Sequence, residues 1–405
     1  MPGPHPRNRR NGTPPKRSPQ NKPDNGASRS KADEKPGARV RYAVVGMGHI
    51  AQMAVLPAFK NAATNSELTA LVSGDDVKLK ELSRRYGVPH ACRYDDYERL
   101  LRSGDVDAVY IATPNSMHRD FAVAAARAGV HVLCEKPLAV TERECQEICD
   151  ACRESGVKLM TAYRLHFDAA NLEAVKAAQS KKLGELKIFN SVFSMQVKDT
   201  QNIRLKRGLG GGPLYDIGIY CVNAARYLFR AQPEEVCAFA VASRDPRFGE
   251  VPETVSAVLR YPGERLATFS CSFGAADAGY YHLVGTKGDI CVDPAYEYAE
   301  GLAYTITIDG KSREHQFPKK DQFGPELLYF SDCILNDREP EPSGEEGLAD
   351  VRVIRAILRS AASGRSEALM PAGHLRHPTP AQRIDKPGIR KPRGVRVTSP
   401  GGDED

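Results

Sequence analysis

Residues 40–51 read VRYAVVGMGHIA. The apolar run VRYAVV leads into Gly46 and Gly48, Ala51 follows at the third small position, and the helical pattern AVLPAF continues behind it. A strand that passes through Gly-x-Gly-x-x-Ala into a helix has a physical use. The glycines permit a tight turn and close approach of backbone to a pyrophosphate, while the helix start offers unpaired N–H groups and the positive end of its dipole. Such a motif alone also fits an ordinary turn, so its context decides.

Working outward, apolar runs alternate with amphipathic stretches as far as Pro137: LTALVSG, LKELSRRYG, DAVYIATP, FAVAAARAG and HVLCEKP. Strands alternating with helices at this spacing predict βαβ units and a parallel sheet. With that setting, Gly46, Gly48, His49 and Ile50 are predicted to hold a dinucleotide. A further helix, TERECQEICDACRESG, and the run KLMTAY complete a Rossmann domain over 39–163. Beyond it the texture changes to long alternating runs, KIFNSVFSMQV, VCAFAVAS, TVSAVLRY and LATFSCSF. These predict a C-terminal α/β domain over 164–365, with a large, mostly antiparallel open sheet half covered by helices. The fold class is therefore α/β.

Composition bounds the rest. A chain of 405 residues, 41% hydrophobic and 27% charged, suits a soluble protein of two domains. Its net charge of +6 resides wholly in residues 1–38, which hold nine Lys or Arg against three acids. This Pro- and Asn-rich stretch is predicted to be a disordered or extended basic arm, and 366–405 an extended Pro/Arg-rich tail. Both tails are expected to wrap a neighbouring subunit. The neutral body argues against a nucleic-acid partner, and no apolar run is long enough for a membrane span. Ten scattered cysteines read as reduced core thiols, which places the expected compartment in the cytoplasm.

Four places carry candidate chemistry. Ser73 ends the second strand, where an enzyme preferring NAD offers a carboxylate to the ribose; a hydroxyl there, with Lys78 and Lys80 one turn on, favours NADP. Asp75 and Asp76 pull the other way. Thr113, Pro114, Asn115 and His118 follow the fourth strand at the sheet's carboxyl edge, where they are read as one wall of the nicotinamide site. His118 is read as a helix cap or cofactor contact in preference to a base. Glu135 and Lys136 precede Pro137, which ends the strand and aims Lys136 into the cleft. Finally, GGGPLYDIGIY places Asp216 and Tyr220 four residues apart on one helical face, as an orienting group and a proton carrier.

Taken together, GMGHIA, Ser73 with Lys78, CEKP, AYRLHFD and GGGPLYDIGIYCVNAARYLF resemble the glucose-fructose oxidoreductase branch of the Gfo/Idh/MocA superfamily, in order across residues 40–365. The resemblance implies NADP as cofactor, a sugar substrate, catalytic Lys136 and Tyr220 with Asp216 beside them, and a second sheet that builds a homodimer or homotetramer. It also implies that Ser73 and Lys78 contact the 2′-phosphate. Arg164 and His166 are read as contacts to sugar, and Arg164 also to cofactor. The chain departs from that branch in lacking an apolar segment behind Arg9 and Arg10 and in a shorter loop, VKDTQNIRLKRGLGGGP, beside the sugar. Two other functions stay open: an NADP-dependent aldose dehydrogenase or 1,5-anhydrofructose-type reductase with exchangeable cofactor, and a non-catalytic NADPH-sensing scaffold. Cys145, Cys149 and Cys152 have helical spacing but no fourth ligand, so no metal is expected.

Overall fold

The computed structural model describes residues 37–370 and 376–402, together with Gly3. The basic arm read over 1–38 therefore lies almost entirely outside the described residues. The described body, from Gly37 onward, forms one compact unit.

Its first sheet has six parallel strands: β1 (Val40–Val45), β2 (Ser66–Val72), β3 (His90–Cys92), β4 (Ala108–Ile111), β5 (His131–Glu135) and β6 (Leu159–Ala162). Their order is β3-β2-β1-β4-β5-β6. Every residue of β4 and β6 is buried, as a parallel sheet covered on both faces requires. Five helices cross over between strands: α1 (Leu56–Ala62), α2 (Asp76–Tyr86), α3 (Tyr97–Leu101), α4 (His118–Arg127) and α5 (Glu142–Glu154). Sequence sets their ends. Asp75 caps α2 by accepting from the N–H groups of Val77 and Lys78, and left-handed Gly87 stops it. At α5, Thr141 and Glu144 form a reciprocal capping box, an arrangement in which the cap alone contributes about 1 kcal/mol. Cys145, Cys149 and Cys152 form the buried face of α5, and burial pushes all three thiols well up.

The chain then passes through α6 (Ala169–Gln179) into a second sheet. It comprises β7 (Leu186–Ser194), β8 (Glu235–Val241), β9 (Thr254–Tyr261), β10 (Arg265–Ser272), β11 (Ala278–Gly285), β12 (Gly288–Val292), β13 (Ala303–Ile308), β14 (Lys311–Gln316) and β15 (Glu367–Ala368). The order is β14-β13-β12-β11-β7-β10-β9-β8-β15, antiparallel except where β7 meets β10. Alternation sorts the faces. Val255, Ala257, Leu259, Ala267, Phe269 and Cys271 point inward against α7 (Ile219–Phe229) and α9 (Gly344–Ser363). Ile188, Phe239, Val241, Val258 and Leu266 are exposed on the other face.

One element crosses the boundary that the sequence suggests. Helix α8 (Gly324–Leu335), read as part of 164–365, packs against α1 and the first sheet, with Tyr42 Oη 2.8 Å and Ser66 Oγ 2.7 Å from Ser331 Oγ. The C-terminal tail is a second correction. Residues 376–402 lie on this chain's own body: Gln382 donates to Glu341, Asn61 Nδ2 to the Pro387 carbonyl at 2.9 Å, and Val395 is buried in the core of the first domain. Among the described residues, no helix is long and apolar enough to cross a membrane.

Candidate active site

The strand order reverses between β1 and β4, and the cleft outside their carboxyl ends is where open α/β sheets bind ligands. A cleft of about 900 Å³ opens there, walled by both domains. Gly46 turns at φ +95°, and a Cβ on it would stand 2.6 Å from the carbonyl oxygen of Ala112. Only glycine lets the chain leave β1 so close to the end of β4. At Gly48 the space a side chain would take is open, so the backbone is approachable. His49, Ile50, Thr113 and Asn115 continue this wall. Among the described residues, the buried Thr113 Oγ1 has no hydrogen-bond partner. An open glycine turn and an unsatisfied buried hydroxyl on one wall fit a polar, extended ligand such as a dinucleotide.

A charged cluster lines the same cleft. Lys136, at the end of β5, donates to the Asp216 carbonyl at 2.7 Å and lies 3.3 Å from its Oδ1. Its Nζ sits 4.8 Å from the centroid of the Tyr220 ring. Arg164 donates from Nε to Tyr220 Oη at 3.2 Å and holds its guanidinium 5.0 Å from the same ring. Arg164 is fixed in turn by the Tyr296 carbonyl and Gln322. Lys136, Asp216, Tyr220 and Arg164 therefore meet, although they come from three separate motifs.

The electrostatics follow. Burial pulls the Asp216 carboxyl up, but Arg204, which donates from Nε to Oδ2 at 2.6 Å, and Lys136 more than offset it and hold the group at about 2. Burial likewise pulls Lys136 down, and its neighbours Tyr220, Asp216 and Glu135 reverse this, so it stays an ammonium. Behind it, Glu135 accepts from Tyr110 Oη at 2.8 Å, and Glu326 of α8 lies 3.5 Å from that hydroxyl. Burial raises both carboxyls, and the Glu135 charge adds to the effect on Glu326, which is pushed well above the usual carboxylate range.

Two histidines are not where the sequence suggests. His118 is neither a helix cap nor a wall of the cleft; its ring is buried between the carbonyls of Pro137 (2.9 Å) and Thr113 (3.0 Å), where it locks one loop to the other. His166 is buried between Glu341 and Asn223, away from the cleft. Its ring does not line the cleft, as the predicted sugar contact would require. Pro114 shapes the turn, its carbonyl accepting from Met117, without lining the cleft. Ser73 and Lys78 follow β2 without lining the cleft, and Ser73 Oγ accepts the Asp75 N–H at 3.2 Å.

The structure also adds residues. Arg204 comes from the loop before the Gly-rich turn, and the turn exists to accommodate it: a Cβ on Gly211 would lie 2.4 Å from the Arg204 carbonyl oxygen. Tyr298 stacks near Arg164, 5.4 Å from ring centroid to guanidinium. Arg396, Val397 and Thr398 of the C-terminal segment line the same cleft. Only Arg204 lay in a stretch whose sequence pointed to the site.

A parallel sheet in this order, with a glycine turn at its switch point and a Lys-Asp-Tyr-Arg cluster facing it, is the architecture of a dinucleotide-dependent oxidoreductase. Residues 40–163 match an oxidoreductase family with an NAD-binding Rossmann fold, and residues 171–291 match the GFO/IDH/MocA C-terminal domain. The chain belongs to the Gfo/Idh/MocA oxidoreductase family. It is 33% identical over 331 residues to D-xylose 1-dehydrogenase (NADP(+)) 2 of Haloferax volcanii, covering 81% of this chain and 99% of that protein. An aldose-aldose oxidoreductase from Caulobacter crescentus, solved with glycerol, is similar with a TM-score of 0.79 and 40% identity, over 82% of this chain and 100% of its own. KijD10, a 3-ketoreductase from Actinomadura kijaniata solved with NADP and TDP-benzene, gives 0.73 and 26%, over 80% and 98%.

Proposed function

We propose that this chain is an NADP-dependent sugar oxidoreductase in which Tyr220 carries the proton. The observation that carries this reading is the convergence of Lys136, Asp216, Arg164 and Tyr220 in the cleft that the open backbone at Gly48 also lines. Gly46, Gly48, His49, Ile50, Thr113, Asn115, Glu135 and Lys136 would hold the cofactor, which supplies the hydride acceptor and donor when bound. Ser73, in place of an acid at the end of β2, and Lys78 favour a 2′-phosphate.

The residues of the chain do the rest. Tyr220 Oη takes the proton of a sugar hydroxyl as the carbinol is oxidised and returns it to a carbonyl oxygen in reduction. Lys136 and Arg164 flank its ring and compensate the charge left on the oxygen. Asp216, ionised, holds Lys136 in place and is itself braced by Arg204. The aldose is oxidised to a lactone, and a second carbonyl sugar is reduced. The apolar outer face of the second sheet, with Phe239 74% exposed, is the surface on which two copies would join.

The test is to purify the protein without added cofactor, record its spectrum, and add D-xylose or D-glucose. A protein-bound band at 340 nm that appears with aldose is the expected result. A protein that binds NADPH and turns over no sugar would overturn the reading in favour of a sensor.

A further inference from the structure

Residues 376–402 lie beyond the matches to both family domains, which end at 163 and 291. They nonetheless run across the cofactor side of the cleft. The Arg393 carbonyl accepts from Arg85 at 2.6 Å, on α2. Val395 is gripped on both backbone groups by the buried side chain of Gln52, which donates to its carbonyl at 3.1 Å and accepts its N–H at 2.8 Å. Gln52 sits directly behind the glycine turn, and its own N–H donates to the Gly48 carbonyl. The segment then reaches the second domain, where the Pro400 carbonyl accepts the Lys198 N–H at 3.1 Å. Both lips of the cleft are thus joined by one strap.

Between these anchors stands Arg396, with a left-handed backbone at φ 51° and its side chain lining the cleft. Its Nη1 lies 3.5 Å from both carboxylate oxygens of Asp75. Asp75 Oδ1 is already engaged in capping α2, and Asp76 is paired with Arg93 at 2.6 Å. Lys78 faces the same carboxylate. Burial pulls its ammonium below the ordinary range, Arg396 pulls it further, and Asp75 alone opposes them. Arg396 and Lys78 thus share the Asp75 carboxylate just past β2, at the end of the sheet where the adenosine ribose of a Rossmann ligand belongs. The two cations exceed the carboxylate by one positive charge, so a phosphomonoester, at roughly −1.5 to −2, would meet a net positive site there.

We infer that the C-terminal segment is a cofactor strap, in which Arg396 binds the 2′-phosphate of NADP and closes the adenosine end of the site. This rests on the reading of the chain as NADP-dependent. It gives a physical reason for a cofactor that stays through both half-reactions, since the strap must lift from Gln52 and Lys198 before the dinucleotide leaves.

The test uses the full chain and measures binding, not turnover. NADPH and NADH are each titrated by their fluorescence into the wild type, Arg396→Ala and Arg396→Lys, and bound NADPH is chased with excess NADP+ in a stopped-flow instrument. Loss of one charge-assisted contact is expected to weaken NADPH binding about 10- to 100-fold in Arg396→Ala and to speed its release, with NADH affinity within about twofold of wild type. Arg396→Lys, which keeps the charge, is expected to fall between. If Arg396→Ala does not fold, Arg396→Lys decides on the same two ligands. A wild type that binds both dinucleotides equally overturns the NADP reading itself. A wild type that prefers NADPH, with variants that retain that preference or weaken both ligands alike, overturns the strap alone.

Discussion

Two regions of this molecule bury charge, and they do so to different ends. Between α7 and α9, Arg226 is fully buried; it donates to Asp350, to Glu346 at 3.3 Å and to Gln232 at 2.6 Å. Asp350 accepts also from Tyr163 and from Asn223 Nδ2 at 2.8 Å. That orientation leaves Asn223 Oδ1 to accept from His166 Nε2, so that His166 Nδ1 faces Glu341 as the second donor of an imidazolium. Glu341 is met by Gln382 of the C-terminal segment. The chain of bonds runs from partner to partner inside the protein. At the cleft, by contrast, Lys136, Arg164, Asp216 and Arg204 hold one another on their buried sides and surround a phenol that lines open space. A network that closes on itself is a staple between helices. One left open on a single side is available for a reaction.

The comparison breaks most sharply with paired variants. Tyr220→Phe is expected to reduce turnover about 10³-fold, the usual scale for a lost proton carrier, while the urea midpoint and dinucleotide binding stay near wild type. Arg226→Met is expected to do the reverse, lowering stability by about 3–5 kcal/mol because Asp350 and Glu346 are left buried without their cation. If both variants behaved alike, the distinction between the two clusters would be lost. Asp216→Asn should give a smaller effect, a fall in kcat of about 10- to 100-fold as Lys136 loses a charged partner, with KM for the sugar less affected.

Smaller still is the expected response of Glu326. Its folded pKa is raised, so the folded state binds a proton that the unfolded state releases above about 4.3, and stability falls as pH rises from there. Glu326→Gln keeps the shape without the ionisation. Its melting temperature should exceed wild type at pH 8 and match it at pH 4; equal curves at both would contradict the raised pKa. Phe239→Asp should leave both clusters untouched, since it alters a face that contacts neither; on the proposed pairing through that face, the wild type is expected to sediment as a dimer and the variant as a monomer.

How far the sequence reveals these features depends on how local they are. Gly48, Lys136, Asp216 and Tyr220 belong to short-range patterns and all line the cleft, although Asp216 stands on the wider turn Leu214–Gly218 just before α7 and not on the same α-helix as Tyr220. The two sheets were likewise legible, because buried parallel strands and half-covered antiparallel ones differ in periodicity. What could not be read was which polar side chain faces the cleft. His118 and His166 carry the right chemistry beside the right motifs, yet each turns inward to satisfy buried carbonyl, carboxylate and amide groups. Arg204, Tyr298 and Arg396 reach the site from loops whose paths depend on distant packing, and no spacing encodes that. The tail's packing is hidden for the same reason: its apolar residues Ile384, Ile389 and Val395 are too sparse to form a period, but each finds the first domain's core.

The position of α8 has a consequence for how such chains can be recombined. Cutting after residue 163 would strip Tyr42, Phe59 and Ser66 of the helix that covers them, leaving a bare apolar flank on the Rossmann half. A chimera that borrows its second half from a relative must keep residues 324–335 with the first, as part of the same inherited block.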